Sequence, residues 1–247
     1  MTRETVKPAA APFERMIPIE TPEGALVGDY RSTNWWTSLM DHAGGDPDDH
    51  ESEIALDPFL EEEHHSFYGR PWIFGRLYFD TLLRAGLKPD DKVLDLGCGA
   101  GRVGVWLIPY LDSGCYFGCD NHLRSLVAFA GYESALFDLF PKRPRLLLCD
   151  DFAVETFTTK FSVVLDFFVT EHLAPDRREA AYKRIAATCA PGARLFMVQP
   201  PDLGIAKMSE LGFELADQRD VAYPILAGTT RTMRTTDPWH EFRFVGI

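Results

Sequence analysis

The stretch Val93-Leu-Asp-Leu-Gly-Cys-Gly-Ala-Gly-Arg102 decides how the rest of this chain is read. An apolar run carrying one acid, Asp95, breaks into Gly97, Gly99 and Gly101, and Val103-Gly-Val-Trp-Leu-Ile108 then resumes as a helix-like segment. A glycine turn between a strand and a helix lets the backbone approach a ligand closely, because no Cβ intervenes, and aims helix amides at it. Gly99 to Gly104 also satisfies G-x-G-x-x-G, so the turn alone fits either a dinucleotide or an adenosyl cofactor.

Working outward, strand and helix signals alternate. Residues 115–120 (CYFGCD), 145–150 (RLLLCD), 162–169 (SVVLDFFV) and 194–199 (RLFMVQ) read as further strands, with helices over 122–136 and 176–190. Upstream, order begins at Phe67, and a helix runs from Pro71 to Gly86, a residue suited to a left-handed cap. Apolar strands separated by helices argue for a parallel sheet covered on both faces. After Pro200 the segments GFELADQ and HEFRFVGI alternate in polarity, as an antiparallel pair closing the sheet would.

The acids separate the two cofactor readings. Asp95 stands two residues before the first glycine, Asp120 ends the next strand, and Asp150 ends the third, followed by Asp151 and Phe152. A carboxylate over the loop repels a diphosphate and attracts an ammonium or sulfonium, more strongly in a partly dry crevice than in water. Asp120 is placed to take the hydroxyls of a ribose. Asp150 and Asp151 offer an acid for an exocyclic amine, and Phe152 an aromatic face for a purine. Together they specify a site for adenosine and amino-acid groups.

On these motifs the chain resembles the class I S-adenosylmethionine-dependent methyltransferases. VLDLGCGAGR is similar to their first motif, the acid in GCDN to their second, LLLCDDF to the third, VVLDFFVTEHL to the fourth and APGARLFMV to the start of the fifth strand, with Ala193 where a second glycine is usual. The resemblance covers roughly Tyr68 to Gln199. It implies an α/β fold: a doubly wound, mostly parallel, seven-stranded Rossmann-like sheet with a C-terminal antiparallel hairpin. It also implies S-adenosyl-L-methionine as cofactor, with Gly97, Cys98, Gly99, Gly101 and Asn121 joining the acids around it. Tyr68 and Arg70, ahead of the first helix, either fold over the cofactor carboxylate, as in several resembling enzymes, or merely pack. Asp166, at the end of the fourth strand, is either a helix-capping or solvent-facing acid or stands near the transferred methyl, a position favoured over a catalytic role. His172 is the candidate proton acceptor, set against a plain structural histidine at the next helix start. No Asn-Pro-Pro-Tyr sequence follows the fourth strand, where Asp166-Phe-Phe-Val169 stands instead, which points away from methylation of bases or glutamine amides.

The remaining chain narrows the partners. Of 37 acids, ten lie between Asp41 and Glu63 with no Lys or Arg among them. Outside that run 27 acids face 25 bases, so no basic face invites a nucleic acid. Without a run of about 18 apolar residues, no membrane span is expected, and a cytoplasmic protein with a small-molecule acceptor is the default. Five cysteines at no framework spacing read as reduced thiols. Glu61-Glu-Glu-His-His65 is a solvated charge run, since consecutive residues do not converge on one ion, and no metal site is expected. Residues 1–66 form an N-terminal extension, partly flexible, whose first 20 or so residues are loose. Trp35 and Trp36 pack either on the sheet or over the acceptor pocket as a lid, and residues 67–247 form the methyltransferase-like domain. A nicotinamide oxidoreductase on the same fold, or a cofactor-binding protein without turnover, are the other two classes.

Overall fold

The glycine turn follows β3 (Val93–Leu96), the strand on which the sheet reverses its order. In this computed structural model, described for residues 16–25, 74–198, 201, 203–222 and 236–246, nine strands form one sheet. They are β1 (Ile19–Thr21), β2 (Gly24–Ala25), β3, β4 (Tyr116–Asp120), β5 (Arg145–Leu148), β6 (Phe161–Phe167), β7 (Cys189–Val198), β8 (Phe213–Ala222) and β9 (Thr236–Phe244). Their spatial order is β2-β1-β5-β4-β3-β6-β7-β9-β8. The pairs from β1 through β7 are parallel, whereas β7–β9, β8–β9 and β1–β2 are antiparallel. The expected doubly wound sheet and its C-terminal hairpin are therefore present.

Alternation along the inner strands divides the core into two layers. Val93, Tyr116, Leu146, Val163 and Leu165 pack beneath α1 (Arg76–Arg84), α2 (Gly104–Tyr110) and α3 (Leu123–Val127). Leu94, Leu96, Phe117, Leu147, Val164 and Leu195 pack on the other face. That face also holds Tyr182 and Ile185 of α5 (Pro175–Thr188) and Met208 of α6 (Ile205–Glu210). The segment after α3 widens into a π-helical stretch, Ala128–Glu133, before α4 (Ser134–Leu136). Gly86 does end α1, at φ +83°, with its N–H on Leu83 and that of Leu87 on Leu82. No helix among the described residues is long and apolar enough to cross a membrane.

Two strands more than expected come from the N-terminal segment that reads as loose. Pro18 and Pro22 and a three-residue strand leave no periodicity to detect, yet Met16, Ile17 and Ile19 are buried in the first layer. Glu20 grips Arg145 at 2.7 and 2.6 Å through two guanidinium nitrogens, fixing β1 on β5. The chain of the sheet thus begins before residue 20, inside the 1–66 extension. Trp35, Trp36, Glu61–His65, Tyr68, Arg70 and Pro71 lie outside the described residues.

Candidate cofactor site

Beyond the carboxyl ends of β3, β4 and β5 opens a cavity of about 630 Å³, at the crevice where a doubly wound sheet takes its ligands. Gly97, Cys98 and Arg102 of the glycine loop line it, and packing requires the glycines. Gly97 (φ +56°) faces Val169, whose Cγ2 would stand 2.4 Å from a Cβ there. Gly101 (φ +84°) lies on the ring of Phe129 from the π-helical stretch, whose Cε2 would stand 2.6 Å from a Cβ there. Gly104 leaves room for Phe129 and for the Tyr116 hydroxyl, 2.7 Å from where its Cβ would be.

Asp95, Gly97, Cys98, Asp120, Asn121, Asp150, Phe152 and His172 all line this cavity. Asp95 is only 4% exposed and accepts a 2.7 Å hydrogen bond from Tyr116. Burial pushes its carboxyl up to about 7, with Asp120 adding to the shift and the Tyr116 hydroxyl and Arg102 opposing it. Asp120 accepts the Gly99 N–H on Oδ2 and the His122 N–H on Oδ1, both at 2.8 Å. Burial raises its pKa too, against those backbone hydrogen bonds. Each Asp120 oxygen keeps a lone pair for a further donor. Phe152 is half-buried in a left-handed conformation (φ +56°), and Asp150 is exposed, its carbonyl accepting Arg177 at 2.7 Å.

Other expected residues are placed differently. Gly99 and Gly101 shape the turn without lining the cavity. Asp151 faces a second cavity, of about 650 Å³, and is paired there with Arg184. Asp166 does not line the site either. It is 2% exposed and accepts the N–H groups of Val169 (3.2 Å) and Thr170 (3.1 Å) and the hydroxyls of Thr170 and Tyr182 (both 2.5 Å). It anchors the turn after β6, because its position in the strand turns it toward α5 rather than toward the crevice. His172 sits exposed on the turn Thr170–His172, its Nε2 3.7 Å from Glu171.

Several lining residues went unmarked in the sequence. Phe167, Phe168, Val169 and Leu173 make an apolar wall at the end of β6, and Arg102 and Arg177 bring positive charge. Phe167 and Phe168 follow the fourth strand directly and Arg102 closes the glycine motif, so their place in the pattern was a usable signal. Cys119 and Cys149 also line the cavity, and nothing in their spacing marks them. Among the described residues no group of His, Cys, Asp or Glu is arranged to hold a metal ion.

Comparison with known proteins agrees with this geometry. Residues 94–195 match the family model described as a methyltransferase domain. Among solved structures, the fold is similar to magnesium protoporphyrin IX methyltransferase (ChlM) from Synechocystis PCC 6803 with bound SAM. That likeness has TM-score 0.50 and 15% identity over 87% of this chain and 92% of that one. It is similar also to the methyltransferase domain of bacterial-CtHen1-C, with TM-score 0.51 and 15% identity over 70% and 97% of the two chains. A third is an S-adenosylmethionine-dependent methyltransferase from Clostridium acetobutylicum ATCC 824, with TM-score 0.50 and 12% identity over 70% and 91%. At these identities the structures speak for the fold alone: residues 94–195 match a methyltransferase domain, and the fold is similar to that of S-adenosylmethionine-dependent methyltransferases.

Proposed function

We propose that the protein binds S-adenosylmethionine at the ends of β3, β4 and β5 and transfers its methyl group to an oxygen or nitrogen of a small molecule. The observation that carries this reading is the 2.8 Å hydrogen bond from the Gly99 N–H to Asp120. In a dinucleotide site that loop amide would be aimed at a diphosphate; here a carboxylate already occupies it. With Asp95 below the same loop, the cavity disfavours a diphosphate and suits an ammonium, a sulfonium and ribose hydroxyls.

In this reading Asp120 takes the ribose, and Asp150 and Phe152 the adenine. Asp95 and the loop face the amino-acid end, and Arg102 offers a countercharge for its carboxylate. Tyr68 and Arg70 would join from the segment before α1. When bound, the cofactor supplies a methyl group on a positively charged sulfur, already a good leaving group, so the protein's task is alignment. Phe167, Phe168, Val169 and Leu173 supply an apolar wall for the acceptor, from which they exclude water. His172 stands beside that wall, where its imidazole can accept the acceptor's proton.

The test is transfer of label from methyl-labelled S-adenosylmethionine into a small-molecule extract by the full chain. Label appearing in a low-molecular-weight product, and lost when S-adenosylhomocysteine is added in excess, is the expected result. Label passing only into protein or nucleic acid would overturn the choice of acceptor. Cofactor binding with no labelled product from any extract would instead support a binding protein without turnover.

A further inference from the structure

One helix holds both loops that flank the cavity. Three arginines of α5, Arg177, Arg178 and Arg184, donate to main-chain carbonyls outside the helix. Arg177 and Arg184 stand seven residues apart, a spacing that puts them on one face of a helix. Arg177 donates to the carbonyl of Asp150 at 2.7 Å, and Arg184 to the carbonyl of Asp151 at 3.1 Å. Arg184 also pairs with the carboxylates of Asp151 and Glu155, the latter at 2.7 Å. Arg178, one position round the helix and buried, serves the other loop: it donates to the carbonyls of Thr170, Glu171 and Leu173 in the turn after β6, at 2.8, 2.9 and 2.8 Å.

The loop after β5 needs such a hold. Phe152 lies in the left-handed region at φ +56°, a conformation unfavourable for a residue with a Cβ and kept where neighbours impose it. The loop is tied at its start by the Cys149 N–H on the Asp120 carbonyl (3.0 Å) and at its end by the Val154 N–H on the Phe152 carbonyl (2.7 Å). Asp150 and Asp151 lie between these ties with exposed side chains, and theirs are the carbonyls that the two arginines take. A guanidinium suits the task, since it stays charged at any working pH and presents its donors in a fixed fork. Arg177 lines the cofactor cavity and Arg184 the adjoining one, while Asp150 lines both.

We propose that Arg177 and Arg184 are positioning residues for cofactor selectivity: by fixing the loop from Asp150 to Phe152 they make the site prefer adenine to a purine with a carbonyl in place of the exocyclic amine. The inference rests on the cofactor reading above, in which Asp150 and Phe152 receive the adenine. The exocyclic amine donates to the Asp150 carboxylate. A carbonyl at that place sets acceptor against acceptor and leaves both without a donor. The discrimination lasts only while the carboxylate is held in place; on a loosened loop Asp150 turns to water and either base is admitted. In the same reading the ribose and the amino-acid end fall to Asp120, Asp95 and Arg102, so the loss of the two arginines falls on the base.

The experiment is calorimetry of the full chain with S-adenosylhomocysteine and, separately, with S-inosylhomocysteine, whose base carries the carbonyl. Wild type should bind the first at least about tenfold more tightly, the scale of one hydrogen bond to a charged group. Replacing both arginines, Arg177→Met with Arg184→Met, keeps the apolar stems and should narrow that preference to about threefold or less, with S-inosylhomocysteine bound much as before. Arg177→Met alone should narrow it at least about twofold, which keeps the test in hand if the double variant does not fold. Arg177→Lys retains a donor for the Asp150 carbonyl and should hold the preference within about twofold of wild type, a rescue that a merely structural role does not predict. An unchanged preference in the methionine variants, or an equal loss of affinity for both ligands, would overturn the positioning role. Equal binding of the two ligands by wild type would overturn the selectivity and leave the cofactor reading standing, whereas no binding of S-adenosylhomocysteine by wild type would overturn both.

Discussion

Asp95 and Asp166 are the same residue at the ends of neighbouring strands, and they do opposite things. On the paired strands β3 and β6, Asp95 lies opposite Leu165 and Leu96 opposite Asp166, so the two acids are one residue out of step. Both are buried. Asp166 collects four hydrogen bonds and holds the turn after β6, away from the cavity. Asp95 takes a hydrogen bond from Tyr116 and stands on the cavity wall. One residue of offset sends a side chain to the other face of a sheet, so the two acids meet different layers of the core and different partners. Asp120 follows Gly118 in step and shares the parity of Asp95.

The first way to break this comparison is to remove the anchor. Asp166→Ala leaves up to four buried donors without their acceptor and should lower unfolding free energy by about 4 kcal/mol, since each such donor costs roughly 1–3. Urea denaturation measures it, and a loss below about 1 kcal/mol would show that the turn is held by other contacts.

Asp95→Asn should act in the opposite sense. The folded carboxyl titrates at about 7, the unfolded one near 3.9. Between those values the folded state holds the extra proton, so stability falls as pH rises through this window. The charge-free variant lacks this penalty. Relative to wild type it should gain about 2 kcal/mol between about pH 5 and about pH 8.5, part of the roughly 4 kcal/mol that the full shift implies. A pH-independent difference would mean that Asp95 titrates like an exposed acid.

The smallest effect is expected at His172, whose side chain is 75% exposed and whose only ion-pair contact among those described is Glu171 at 3.7 Å. His172→Ala should lower kcat by less than about tenfold, because positioning and the sulfonium carry most of the reaction. A fall of about a hundredfold or more, within the usual range for a general base, would make it the proton acceptor.

Much of this was legible in the sequence, for identifiable reasons. The five inner strands announce themselves as apolar runs, and the order of acids after them places Asp95, Asp120 and Asp150 at one end of the sheet. For Asp166 the strand end alone leaves both a capping role and a place near the ligand open, and the alternation of Val164 and Leu165 between the two layers tells which face it takes. β1 escaped because its three residues, flanked by Pro18 and Pro22, give no period, while its hold on the sheet comes from β5 and Arg145, 125 residues away. Cys149 has no local signal at all; its surroundings come from β4 and from a left-handed Phe152 that only the folded loop reveals.

The most direct test of the central claim, that two carboxylates of matching parity at the ends of β3 and β4 select an adenosyl amino acid over a dinucleotide, is calorimetry of the full chain. S-adenosylhomocysteine and NADH are titrated separately, into wild type and into Asp120→Ala. One molecule of S-adenosylhomocysteine should bind per chain, NADH should give no heat, and the variant should bind at least about tenfold more weakly, or 1.4 kcal/mol, the scale of a charge-assisted hydrogen bond to a ribose. Binding of NADH with no heat from S-adenosylhomocysteine, or an unchanged dissociation constant in Asp120→Ala, would contradict it.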